Sequence, residues 1–252
     1  MQKYKTDWYL YYLINITLII LVSFPIYWAF VSSIKPPDEL ITNTPTLFPI
    51  NPTFESYERI WNLEPTSSRG NVRSAFTNSA IVSIGTVVVS AVISTLAAYA
   101  LTILRTPFRH FIFLLIIMPI LIPGISLLIP LYKLVKELGL MNSYLGLILI
   151  HSTGMLTLGV FLMRNAFMSI PTSLREVALL EGSSELRIMF TVMLPLAIPG
   201  LLTLMVFALY GSWNDFILAF LFVNTIDMEM LNVFLMKLTF AGSQFDTFWG
   251  LV

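Results

Sequence analysis

Residues 74–104 read SAFTNSAIVSIGTVVVSAVISTLAAYALTIL, a stretch with no acidic or basic side chain, bounded by Arg73 and Arg105. At about 1.5 Å of rise per residue, a helix of this length outspans the roughly 30 Å of bilayer hydrocarbon. Backbone polar groups in lipid must be satisfied within the segment, and a helix does that. The stretch therefore predicts a transmembrane α-helix. Within it Thr86, Ser90, Ser94 and Ala98 recur every four residues and share one face. Small residues on one face let a second helix approach closely. Packing within the chain is the plainer reading of that face, and contact with another subunit is the alternative.

The rest of the chain fits a protein that spans the membrane repeatedly. Hydrophobic residues make up 57% of it and charged residues 11%, with a mean hydropathy of +0.83. That is under half the roughly 25% charge of a soluble domain, too little to cover a water-facing surface. Net charge is zero, which gives no electrostatic ground for nucleic-acid binding. The absence of cysteine removes disulfides, thiolate catalysis and cysteine metal sites. Trp8–Val31 is longer than a signal-peptide core and ends in no small-x-small cleavage site, so it predicts a retained first helix, over 8–34. A proline-rich segment, 35–73, comes next and cannot be one long helix. Further spans are predicted over 111–134, 144–167 and 194–223. The first of these is interrupted by Pro119, Pro123, Gly124 and Pro130. Such breaks are tolerated where freed carbonyls face protein or a wet cavity. Residues 224–247 read as mixed in character. Phe248–Val252 begins another apolar run, which predicts a sixth span cut short by the end of the sequence. Two regions result: 1–73, a first helix with an extracytoplasmic segment, and 74–252, the transmembrane domain proper. Lys and Arg divide evenly between alternate loops. The higher density in the shorter ones favours a cytoplasmic N-terminus.

Between the last two spans lies PTSLREVALLEGSSELRIMFTVMLPLAIPG, residues 171–200. Ser173 with Glu176 predicts a capping box on a short helix. Gly182 supplies a turn at low steric cost, and a second helical piece is expected over 185–192. The product is a helix–turn–helix protrusion suited to docking in a partner's groove.

This spacing resembles the EAA loop of ABC importer permeases. Glu176, Ala178, Gly182, Leu194 and Pro195 fall on the family pattern, with Val177 in place of its first alanine and Glu181 where aspartate is common. Further matches run in order along the chain: Ser33-Ile34-Lys35-Pro36 with Glu39-Leu40, Phe76-x-Asn78-Ser79, Ala97-Ala98-Tyr99-Ala100-Leu101, Leu138-Gly139-Leu140-Met141-Asn142 and Trp213-Asn214-Asp215-Phe216. Together they resemble the carbohydrate permeases similar to the six-span subunit of the maltose importer. The resemblance implies the all-α type I importer fold and a permease of the cell membrane of a bacterium or archaeon. It also implies a loop at about 171–195 that docks on cytoplasmic ATPase subunits. The implied partners are two ATPases, a second permease subunit and an extracytoplasmic sugar-binding protein. Glu176, Ala178, Glu181, Gly182, Leu194 and Pro195 would form the coupling loop. The substrate would be a mono- or oligosaccharide. The 252 residues contain no Walker A pattern, so ATP would be bound by the partners and no cofactor by this chain.

Individual residues leave alternatives open. Trp213, Asn214 and Asp215 suit a sugar path, since an indole stacks on sugar rings and amides bind hydroxyls. Equally, Asp215 suits a structural hydrogen bond inside the bundle. His151, in the fourth span, suits a bond to a helix carbonyl better than a proton relay. Glu176 and Glu181 lie five apart and point in different directions, so they make no acid–base pair. No catalytic or metal site is expected. An ion-gradient transporter would need several ionisable groups at membrane depth; Asp215 and His151 are the two on offer. That transporter is the runner-up reading, and an ABC permease for another small polar solute is a further alternative.

Overall fold

The computed structural model describes residues 2–40, 42, 44–65, 70–104 and 106–241. The described residues are almost wholly helical and divide into two compact units, Met1–Thr66 with Leu235–Val252, and Ser67–Phe234. The apolar run at 248–252 lies outside the described residues.

In the first unit, α1 (Gln2–Ser33) carries a 26-residue apolar portion, Trp8–Ser33, most of whose side chains are exposed. A helix so bare of protein contact and so apolar is built for lipid. After it, Ser33, Lys35 and Glu39 fold the chain back. Lys35 Nζ, on a residue only 2% exposed, donates to the Thr46 carbonyl and lies 4.8 Å over the Trp28 ring. The Glu39 carboxylate, on α2 (Pro37–Leu40), accepts from Ile50 N and Asn51 N at 2.9 and 2.8 Å and so ties down the turn beyond. Tyr57, on α3 (Glu55–Trp61), donates to Ser33 Oγ at 2.6 Å.

In the second unit, α4 (Val72–Thr102) is the axial element, its start capped by Asn71 Oδ1 on Ser74 N. Thr86, Ser90, Ser94 and Ala98 are all buried, so the small-residue face packs within the chain. The chain then runs through α5 (Arg109–Ile117), two 3-10 turns and α6 (Leu128–Glu137) to α7 (Tyr144–Met168). The path from α5 to α6 bends by 97°. That is far more than a proline kink within one helix, because Pro119 and Pro123 bracket a stretch that leaves helical dihedrals altogether at Ile122. Glycines set the approach of the long helices. A Cβ on Gly85 would meet Ile148 at 2.4 Å, and one on Gly159 would meet Ser94 Oγ at 2.3 Å. Pairs that advance together along both chains mean that α4 and α7 run parallel.

Beyond α7 come α8 (Thr172–Leu180) and α9 (Glu185–Ile188). A wide π-turn at Met189–Met193 leads on to α10 (Leu194–Leu196) and α11 (Ile198–Trp213). The expected continuous span over 194–223 is interrupted twice. It bends by 80° at Ala197, where the pyrrolidine of Pro199 disfavours a straight continuation. It stops again at Asn214, and α12 (Ile217–Phe222) restarts after Phe216. A Cβ on Gly200 would lie 2.5 Å from Ala166, and Leu204 meets Gly159, so α11 runs antiparallel to α7. The segment read as mixed, 224–247, contains a helix, α13 (Leu231–Ala241).

Among the described residues, three helices, Trp8–Ser33, Val72–Thr102 and Tyr144–Met168, are long and apolar enough to cross a bilayer alone. Counting each bent pair as one span raises the number to five.

Candidate functional site

The protrusion forms as expected in outline and differs in detail. α8 begins at Thr172 behind Pro171, and no side-chain bond caps it, so the Ser173–Glu176 capping box does not form. Proline fixes its own φ near the helical value and serves as the start signal instead. Gly182 adopts φ +79°, and its N–H donates to the Leu179 carbonyl while Ser183 N donates to Ala178 O. This left-handed closure ends α8 where a side chain would be strained. The second piece starts at Glu185 but turns into a π-turn from Met189, which widens the backbone as it enters the bundle.

The candidate coupling residues separate by exposure. Glu176, Glu181 and Gly182 are exposed. Ala178 is 8% exposed and packs with Ile170, Ile188 and Met189 in the core that also holds Tyr99, Met163 and Phe167. Its smallness lets α8 lie close on its own chain. The exposed side of the protrusion is apolar: Leu180 is 88% exposed, with Leu174, Val177 and Leu186 also exposed. Leu194 is half-buried and Pro195 is exposed, both at the bundle end of the segment.

Sequence reasoning missed what holds the protrusion. Arg175 on α8 forms an ion pair with Glu185 on α9, with Nη2 on Oε1 and Nε on Oε2 at 3.2 Å. The Glu185 carboxylate beside Arg175 holds its guanidinium above the usual arginine range. Tyr99, in the last turn of α4, donates to the same Glu185 Oε2 at 3.0 Å while its ring meets Phe167 edge-on at 5.6 Å. The available signal was a polar-tipped aromatic near the end of an otherwise apolar helix.

The expected path residues occupy the junction of α11 and α12. Asp215 is not in mid-helix. Its carboxylate accepts from Leu218 N at 3.3 Å and Ala219 N at 2.9 Å, capping α12. His151 reaches it, with Nε2 3.8 Å from Asp215 Oδ2. Asn232, the second residue of α13, donates to the carbonyls of Trp213 and Asp215 at 2.9 and 3.2 Å. The Trp213 ring lies edge-on to Phe76 at 5.3 Å, and Asn214 is exposed, with its amide on the Tyr210 carbonyl. The protein thus already uses Asp215, while Trp213 and Asn214 keep surface toward the outside of the fold. Nearby, Asn78 donates to the carbonyls of Asp227 and Glu229 and accepts from Tyr144 Oη at 2.7 Å. Among the described residues no group of three or more His, Asp or Glu side chains is placed to hold a metal.

Comparison with known proteins agrees with this architecture. Residues 90–242 match the family described as binding-protein-dependent transport system inner membrane component. A probable ABC transporter permease of Pyrococcus horikoshii is 30% identical over 90% of this chain and 80% of its own length. A probable starch degradation products transport system permease of Thermoanaerobacterium thermosulfurigenes is 32% identical over 100% of this chain and 88% of its own length. A trehalose transport system permease of Mycobacterium tuberculosis is 31% identical over 77% and 68%. The crystal structure of a bacterial ABC transporter involved in import of the acidic polysaccharide alginate contains a chain with the same fold. Its TM-score is 0.84 at 22% identity, over 100% of this chain and 90% of that one. The family is one of transport permeases, and the chain belongs to the inner-membrane components of binding-protein-dependent transport systems.

Proposed function

We propose that the chain is a multi-pass permease subunit of an ATP-binding-cassette importer for a mono- or oligosaccharide, in the cell membrane of a bacterium or archaeon. The carrying observation is the protrusion at 172–188, which presents Leu180 at 88% exposure beside a glycine-closed turn. Four apolar side chains, Leu174, Val177, Leu180 and Leu186, exposed together on one short protrusion suit a groove on a partner. Relatives whose names give starch products and trehalose as cargo support a sugar as substrate. In this reading two cytoplasmic ATPases bind ATP and this chain binds no cofactor. A second permease subunit completes the path, and an extracytoplasmic binding protein delivers the sugar. Glu176, Glu181 and Gly182 lie at the docking surface with Leu180. Ala178, Leu194 and Pro195 shape the loop from within. Trp213 and Asn214 offer a stacking face and an amide to the sugar, with Asp215 capping the helix that follows and Asn232 holding the junction through the carbonyls of Trp213 and Asp215.

Co-purification of the ATPase with the permease, alongside sugar uptake, tests the reading. Leu180→Glu places a charge in the docking face without touching the bundle. It is expected to leave the permease inserted, to cut ATPase recovery at least tenfold and to abolish uptake. Normal recovery and uptake in that variant would sink the docking assignment.

A further inference from the structure

Helices of nine and four residues are marginal by themselves, so α8 and α9 owe their order to their packing partners. Ala178, Ile188 and Met189 give them an apolar seat on the core around Val160, Met163 and Phe167. Apolar burial is non-directional, so by itself it sets no fixed angle between the two helices. The bonds to Glu185 are directional. One carboxylate receives the Tyr99 hydroxyl, Arg175 Nε and Arg175 Nη2, and so joins α4, α8 and α9 at a single point. Charge-assisted bonds of this kind, with a bidentate guanidinium, fix geometry as well as contributing energy. They end on the helix whose buried face packs along α7 and α11.

Resting on the importer reading above, we propose that Tyr99, Glu185 and Arg175 form a clamp that makes the protrusion and α4 one mechanical body, with Tyr99 as its positioning residue. Movement of the docked tip then reaches the bundle axis directly and is not absorbed at the Gly182 turn. Tyr99→Phe isolates the effect, because the ring stays against Phe167 and only the bond to Glu185 is lost.

The test uses the permease–ATPase complex in lipid nanodiscs. The chain has no native cysteine, so Thr77→Cys on α4 and Ser173→Cys on α8, both exposed, accept nitroxide labels cleanly. Pulsed electron resonance gives their distance distribution without nucleotide and with ATP plus orthovanadate. With Tyr99 present, the distribution is expected to be narrow and to keep its mean in both states. With Tyr99→Phe it should broaden at least twofold or shift on trapping. Glu185→Ala should behave likewise, and the double variant should be no broader than Glu185→Ala alone, since Tyr99 acts through Glu185. Simple loosening of the fold would add the two effects instead. Should Tyr99→Phe assemble poorly, Arg175→Ala reports on the same carboxylate from the loop side. A Tyr99→Phe distribution superimposable on the parent's, or a parent mean that shifts on trapping, overturns the clamp and leaves the importer reading standing. Failure of the parent chain to retain the ATPase overturns that reading and the clamp with it.

Discussion

Gly182 shows how one residue carries both a local geometry and its consequence. Its φ of +79° lies where a Cβ is strained, yet a Cβ there would meet no atom within 4 Å. The cost of a larger residue is therefore conformational and not steric, about 1–2 kcal/mol. Gly182→Val should open the turn, detach Leu180 from its presented position and abolish uptake while membrane insertion persists; uptake at the parent rate would show that the turn's geometry is dispensable. Asp215 gives a second case. Asp215→Asn keeps an oxygen that can accept from Ala219 N, whereas Asp215→Ala leaves the start of α12 without a cap, at a cost of about 1 kcal/mol. The midpoint of thermal unfolding in detergent should fall by roughly 2–4 °C for the alanine variant and by less for asparagine. Equal losses would mean that the carboxylate's charge, beside His151, matters more than its cap.

At the scale of elements, hydrophobic length was legible and interruptions were legible only where proline announced them. The runs at 8–31, 74–104 and 144–167 became α1, α4 and α7, because about 20 apolar residues admit no other use in lipid. The break at 119–130 was visible in its prolines, but its 97° bend was not, since proline removes a hydrogen bond without setting the direction of the next helix. The stop at Asn214 carried no proline, and Gly211 ahead of it lies within α11, so it went unseen; Asn232, distant in sequence, holds it by donating its amide to the carbonyls of Trp213 and Asp215. The motif residues were visible as a pattern without their tasks. Gly139 and Asn142 stand where φ is +68° and +51°, and Asn142 N donates to the Phe222 carbonyl, so that turn fastens α12. Asn78 and Ser79 likewise fasten the segment before α13 to α4, with Ser79 Oγ accepting from Leu231 N at 2.9 Å. Helix approach in this unit depends on missing side chains, which gives a further prediction. Gly159→Ala drives a methyl into Ser94 and should destabilise the α4–α7 pair by about 1–3 kcal/mol. Adding Ser94→Gly removes both Ser94 atoms that crowd it and should recover most of the loss; no recovery would place the strain at Leu204, 3.0 Å away.

For the molecule as a whole, the decisive relation is the direction of the long helices in the unit 67–234. Because α4 and α7 run parallel, the chain leaving α4 near Thr102 must return to the opposite end of the bundle before α7 begins at Tyr144. The bent pair α5–α6 makes that journey: the Ile116 carbonyl accepts from Thr157 and Arg164 lies over Phe113, while Val135 packs with Leu147 and Ile150. A re-entrant loop would deliver the chain to the wrong end, so α5–α6 traverses the unit once, as a broken span. In the same way α11, antiparallel to α7, carries the chain from the protrusion at 172–188 back to the end where Asn142 and Asn224 meet. Ser184 and Thr225, both exposed, must therefore lie on opposite sides of any membrane that holds this unit. Single cysteines at the two positions, labelled in intact cells with a membrane-impermeant maleimide, check this directly. Thr225→Cys should label and Ser184→Cys should label only after the membrane is opened, which puts the protrusion on the ATPase side. Labelling of both in intact cells would contradict the traverse; labelling of Ser184→Cys alone would keep the traverse, reverse the orientation and take the protrusion out of reach of any cytoplasmic partner.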